Sequence, residues 1–198
     1  MMQEFTSELK SFTKDAISEI HTALPGRIES FNPDRCEADV VPYGRFKKAD
    51  GEMMAFPKIP GVPVLIPQGA GQNAAIAYPV KAGDECLLLF SEQTLELWRS
   101  GAESKTDLRF DLQNAVALVG LFAKPSPLMK EAAQKNAVVI ANNGTKITLL
   151  PSGGVEIAGN VTINGNLTVS GSGTVGGVSV NKHTHTSSSP GNPTSAPN

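Results

Sequence analysis

The first 25 residues carry apolar side chains at helical spacing. Positions three and four apart share one face of an α-helix, and this periodicity predicts an amphipathic helix over residues 3–24. Pro25 and Gly26 follow as a stop signal. Such a helix packs on its own domain, on copies of itself or on a partner protein. The positions that define the stripe are Phe5, Leu9, Phe12, Ala16, Ile20 and Ala23.

Between residues 27 and 122, short apolar runs alternate with turns rich in Pro and Gly. About five short strands in fewer than 100 residues indicate a small barrel such as an OB-fold. The run at 85–90 is almost wholly apolar, which predicts a strand buried on both faces. The polar stretch 92–107 is interpreted as a loop or short helix, and 126–135 as a brief linker. The candidate strands are 27–31, 36–46, 62–67, 85–90 and 116–122.

A repeat of six residues begins near residue 155. Its order is apolar, polar, apolar, small or polar, Gly, polar, and Ile147 and Leu149 begin the same pattern before a turn at 151–154. The two apolar residues of each unit lie two apart, so they share one face of a strand, while Gly tolerates the positive φ of a turn. The apolar pairs are Val155 and Ile157, Val161 and Ile163, Leu167 and Val169.

The repeat predicts an intertwined homotrimer. A period of six residues indicates a β-helix, but about three clear repeats give one chain about one coil, which cannot bury its own apolar faces. Three chains wound round one axis would each supply one side of a triangular prism at every level. The alternative is a flat β-meander in a monomer, which explains the alternation but not the strict period.

Two of the three histidines, His183 and His185, directly follow the repeat. Residues i and i+2 of an extended strand face the same side, so both imidazoles would point at the trimer axis. Three chains would then offer six nitrogens, an octahedral set suited to Fe(II) or Ni(II) rather than to tetrahedral zinc. A solvated turn is the simpler explanation of an isolated His pair. The Ser- and Pro-rich tail that follows has the composition of a linker, or it folds back over a metal-bound tip.

Composition narrows the class of function. The net charge of −2 gives no electrostatic footprint for nucleic acid or anionic lipid. The N-terminus lacks the pattern of a secretory signal, and no run approaches the length of a membrane-spanning helix, so we expect synthesis in the cytoplasm without a signal peptide. Cys36 and Cys86 lie in apolar contexts and are expected to be buried free thiols.

Taken together, the barrel, the six-residue repeat and the element His183, Thr184, His185 resemble the central spike of contractile phage tails, the gpV-like and Gp138-like baseplate spikes. The resemblance implies a mainly β chain in four parts. They are an N-terminal helix (1–25), an OB-fold-like domain (26–125), an intertwined triangular β-helix (126–180), and a metal-binding apex with the C-terminal tail (181–198).

The resemblance implies a mechanical function. One iron ion per trimer would be held octahedrally by His183 and His185 of three chains. Contraction of the sheath would drive this point transiently through the host outer membrane, from a phage, a tailocin or another injection particle. The N-terminal region would seat the spike on the tail hub or baseplate, and no catalysis and no nucleic-acid partner are expected.

Three other functions compete with the spike. A nucleic-acid or sugar-binding OB module would need aromatic and basic residues interleaved on the barrel, and no basic groove is evident. An iron oxygenase would need a carboxylate beside two histidines, yet no Asp or Glu follows Glu156, and glycoside cleavage would need a pair of placed carboxylates. A trimeric receptor-binding fibre or adhesin would share the intertwined β-structure, but would carry a larger distal domain.

Overall fold

The computed structural model describes residues 2–18, 20–48, 50–103, 106 and 108–181. The chain divides into two compact units, Met1–Lys130 and Glu131–Asn198. The four-part division expected from the sequence stays a prediction. The elements in chain order are α1 (Met2–Ser18), β1 (Ala23–Asn32), β2 (Glu37–Pro42), β3 (Arg45–Lys47), β4 (Met53–Ala55), β5 (Ile59–Leu65), β6 (Gln68–Gly69), β7 (Ala74–Ala75), β8 (Glu85–Phe90), α2 (Glu96–Ser100), a 3-10 turn (Leu112–Asn114), β9 (Ala115–Val119), α3 (Pro127–Lys135), β10 (Val138–Asn142), β11 (Thr145–Leu149), β12 (Val155–Ala158), β13 (Thr174–Val175) and β14 (Val178–Ser179).

The N-terminal helix is confirmed, but the predicted C-terminal limit was wrong. Helix α1 ends at Ser18, whereas Ala23 and Leu24 belong to β1 and pair with Leu89 and Leu88 of β8. Helical spacing alone carried the prediction to residue 24. Pairing with β8 overrides it there, because a barrel strand satisfies the backbone groups and packs Leu24 against the core.

Five strands close into a barrel in the first unit. The order around the barrel is β1-β2-β5-β9-β8, with β8 returning to β1. Within the barrel, β5 and β9 form a parallel pair, which requires a long crossover connection between them. The other neighbouring strands of the barrel pair antiparallel. The small barrel predicted from the short apolar runs is therefore confirmed. The loop-or-helix stretch contains the short helix α2, and the expected linker contains α3.

The barrel is filled by alternate residues of its strands. In β2 and β8 every second side chain points inward, and burial raises the pKa of the Cys86 thiol to about 11. Both cysteines are free, as expected, although Cys36 is only half-buried. The core consists of Ile28, Ala38, Val40, Ile59, Val62, Val64, Val80, Cys86, Leu88, Phe90, Ala115, Ala117 and Val119.

One burial prediction was wrong for the single chain. Strand β8 was expected to be buried on both faces, but Leu87 is half-buried and Leu89 is exposed. The inward side chains fill the barrel, and the single chain leaves the outward row accessible. A continuous apolar run favours a strand that is buried on both faces, but it does not say which element or which chain covers the second face.

Replacing Gly26 by Ala is expected to destabilise the barrel by about 1–3 kcal/mol. An added Cβ would lie 2.8 Å from Val40 Cγ1 and 3.2 Å from Leu88 Cδ1, both fully buried. Urea unfolding followed by circular dichroism would measure the change. Gly69→Ala is the matched control, because a Cβ there meets nothing within 4 Å. Equal midpoints for the two variants would contradict the close approach.

Candidate functional site

The second unit contains a three-stranded antiparallel sheet with one face that is mostly apolar. Strands are ordered β10-β11-β12, and their registers place six apolar side chains in two rows. All six are 36–61% exposed. We call this surface the apolar sheet face. Its rows are Val138, Leu149 and Val155, then Ile140, Ile147 and Ile157.

The opposite side of the same sheet mixes small apolar and polar side chains, and some of the polar ones already have partners. Thr148 is 1% exposed there, and the Lys146 ammonium binds the Glu131 carboxylate of α3 at 2.6 Å. Lys135 approaches the same carboxylate at 3.0 Å. The side-chain hydrogen bond from Lys146, then that from Lys135, holds the pKa of Glu131 below its ordinary value. This ion-pair cluster ties α3 to one side of the sheet and leaves the apolar sheet face bare.

The apolar side chains of the six-residue repeat are exposed as well. After β12 ends, residues 159–173 form no further strand, although all of them are described. Val161, Ile163, Leu167 and Val169 are 52–70% exposed. These residues are therefore apolar, regularly spaced and without a core of their own. A soluble monomer rarely exposes so many large apolar side chains in one segment, and such exposure is typical of an interaction site.

Two of the three glycines of the repeat adopt the positive φ that the sequence predicted for its turns, whereas Gly171 does not. Gly159 and Gly165 have φ values of 133° and 149°, a region that side chains rarely enter. At Gly159 an added Cβ would also lie 3.2 Å from Thr145 Cγ2. The corners are thus fixed by backbone conformations that only glycine adopts readily.

The last described element is the hairpin of β13 and β14, turned by Gly176 and Gly177 with positive φ. The Val180 N–H donates to the Gly173 carbonyl at 2.8 Å, which closes the hairpin. The predicted metal ligands, His183 and His185, lie outside the described residues. Within residues 2–181, as far as they are described, no three His, Cys, Asp or Glu side chains cluster in a way that suits a metal ion.

Helix α1 presents a second unpartnered apolar surface. Phe5, Leu9, Phe12 and Ile17 are 53–73% exposed. Among the described helices, none is long and apolar enough to cross a bilayer. The exposed side chains of this stripe form a surface of the kind that marks an interaction site.

An ion-pair cluster ties α2 to the barrel. The Arg99 guanidinium binds the Glu37 carboxylate and donates to the Gly61 carbonyl at 3.2 Å, while Arg35 reaches Glu37 at 2.8 Å. The side-chain hydrogen bond from Arg35, joined by the charge of Arg99, holds the pKa of Glu37 below its ordinary value. Because the two arginines share one carboxylate, this cluster is self-contained and is best explained as structural.

Two residues of the apolar sheet face could not be recognised from the sequence pattern. Val138 and Ile140 complete the apolar sheet face, but they lie in a run of apolar residues that hides their alternation. Asn143 and Gly144 between two apolar runs were the missed signal, because Asn-Gly is a strong marker of a two-residue hairpin. Asn143 has the positive φ of 51° that such a turn requires.

The barrel of the first unit matches a known domain of phage proteins. Residues 24–120 match the family described as phage protein Gp138, N-terminal domain, and the matched segment covers the barrel from β1 to the end of β9. No curated protein matches the chain. This match supports the resemblance to Gp138-like phage baseplate spikes that was drawn from the sequence.

Proposed function

We propose that the chain is the protomer of a homotrimeric spike that pierces the bacterial outer membrane at the tip of a contractile phage tail or a related injection particle. The observation that carries this proposal is the large number of exposed apolar side chains in the second unit. The apolar sheet face leads directly into the repeat, and the two together leave ten large apolar side chains exposed, six on the sheet and four in the repeat.

The size of this surface favours permanent association. Each side chain is about half exposed, so burying the rest stabilises by about 1 kcal/mol. Ten side chains then give on the order of 10 kcal/mol per chain, enough to offset an association cost of about 4–15 kcal/mol shared by the assembly. Three copies suit the repeat, since one apolar pair and one glycine corner per six residues make one side of a triangular prism.

The tip of the proposed spike lies at His183 and His185. The donor set fits the metal, because two imidazoles per chain give six nitrogens in a trimer, the number that octahedral iron takes. The described chain ends at the β13–β14 hairpin, two residues before the pair. When bound, the ion would cross-link three chain ends, and its binding energy would add to the stability of the folded tip.

The N-terminal region is proposed to seat the spike on the tail hub or baseplate. The exposed apolar stripe of α1 supports this role, because among the described residues its side chains stay exposed rather than packing into the barrel. The protein would be located in the virion or injection particle, and its action on the host membrane would be transient. The match of the barrel to a phage protein domain favours a role without catalysis.

Native mass spectrometry of the full chain, combined with elemental analysis for iron, nickel and zinc, tests this function. We expect a trimer that carries one iron ion per three chains. A metal-free monomer would overturn both the prism and the tip. A metal-free trimer would overturn the iron tip and favour the alternative of a trimeric receptor-binding fibre or adhesin.

A further inference from the structure

One half of the barrel wall is apolar on its outer surface. The neighbouring strands β5, β9 and β8 align Leu65 with Leu118 and Leu118 with Leu87, and the next outward row aligns Val116 with Leu89. Leu65, Leu89 and Leu118 are 38–44% exposed, and the other two are half-buried. We call these five residues the outer barrel face. They share one side of three adjacent strands and include no charged group.

The other half of the barrel wall is charged and internally neutralised. Lys58 binds Glu29 of β1 at 3.0 Å and approaches Asp39 of β2 at 3.9 Å. Glu37 of β2 is engaged by Arg35 and Arg99. This half therefore suits water, whereas the outer barrel face suits only an apolar partner. The two halves differ although the inward rows of both are equally apolar.

We infer that the outer barrel face packs against the same face of the other two copies, around the three-fold axis. This inference rests on the proposed trimer. Strand β9, at the centre of the face, ends at Val119, and only seven residues separate it from α3. Seven residues span at most about 25 Å. Chains joined through their repeats would thus hold three barrels at a high effective concentration, at which a modest apolar face associates.

The five side chains of the outer barrel face are uncharged, and this allows the face to pack against copies of itself. Side chains that lie on a three-fold axis meet their own copies from the neighbouring chains, so a charge there would meet its like. Leu118 against Leu118 carries no such repulsion. Glu85, the charged residue of β8 that precedes this face, is directed elsewhere, since its carboxylate accepts a hydrogen bond from the Ala123 N–H at 2.6 Å. Packing against the other two copies would also bury the outward side chains of β8.

Cysteine cross-linking in the full chain tests the inference. Leu118→Cys is introduced together with Cys36→Ser, which removes the half-buried native thiol, while Cys86 is fully buried. The trimer is treated with a short bismaleimide and resolved under denaturing conditions. We expect covalent dimers in at least tenfold higher yield than from the control Lys58→Cys, which places an exposed thiol on the charged half.

The outcomes separate this inference from the function on which it rests. A trimer in which Leu118→Cys and a second variant, Leu89→Cys, cross-link no better than Lys58→Cys would overturn the barrel contact and leave the spike intact. A monomeric wild-type chain would overturn the trimer, and the barrel contact with it. Leu89→Cys provides the test if Leu118→Cys fails to fold, because the two residues lie on different strands of the same face.

Discussion

Ile157→Asp is expected to convert the trimer into monomers at micromolar concentration. Ile157 lies in a row of the apolar sheet face with Ile140 and Ile147, and it is 51% exposed in one chain. In the proposed prism this row faces the axis, so three carboxylates would be buried at one level. Each would cost several kcal/mol in desolvation, and about 1 kcal/mol or more of isoleucine burial would be lost per chain. Light scattering coupled to size-exclusion chromatography measures the mass.

Glu156→Asp is the matched control for this prediction. Glu156 neighbours Ile157 on β12 and is also exposed, but it points to the opposite side of the sheet. Both variants carry Asp on the same strand, and in a monomer both positions would tolerate it. We therefore expect Glu156→Asp to remain trimeric. If Ile157→Asp kept the trimeric mass, the apolar sheet face would not be the contact between copies.

The double variant His183→Ala, His185→Ala is expected to lose the metal completely and to keep the trimer. The proposed ligand set loses all six nitrogens, whereas the apolar surface of the sheet and repeat is unchanged. Native mass spectrometry would show the trimeric mass without the ion, and elemental analysis would fall from one iron per three chains to none. Thermal unfolding is expected to begin at a lower temperature, because metal binding energy no longer stabilises the tip.

His21→Ala controls for the general loss of a histidine. His21 lies in the barrel unit, with its ring centroid 5.6 Å from that of Phe56 and 5.7 Å from that of Phe90, so it is a packing residue. This variant is expected to retain one metal ion per trimer. A double variant that is monomeric at micromolar concentration would contradict the proposal that the apolar surface holds the chains together. Retention of iron by the double variant would contradict the ligand assignment.

The barrel could be predicted from the sequence because its determinants are local. Strands of alternating burial separated by Pro and Gly turns define where the chain extends and reverses. The error at residues 20–24 has a physical reason, since helical spacing says nothing about a distant strand that competes for the same backbone. Leu24 satisfies both patterns, and pairing with Leu88 of β8 decides between them.

The candidate site was predicted in part. The repeat revealed Val155, Ile157 and their successors, because a strict period stands out in a single sequence. Val138 and Ile140 were missed, because an apolar run has no visible period and only the Asn-Gly turn indicates its partner strand. The outward row of β8 was interpreted as buried, and a sequence does not say whether a neighbouring element or another chain would cover it.

The contrast between the two units has a consequence for the order of folding. The barrel encloses its core within one chain, so its formation is unimolecular and independent of concentration. The repeat has no such core, and its ordering in the proposed assembly requires chains to meet, which makes that step depend steeply on the number of chains made. The barrels would fold first, and the repeats would associate afterwards. At low concentration the chains would keep a folded barrel and an exposed apolar repeat, which makes them prone to aggregation.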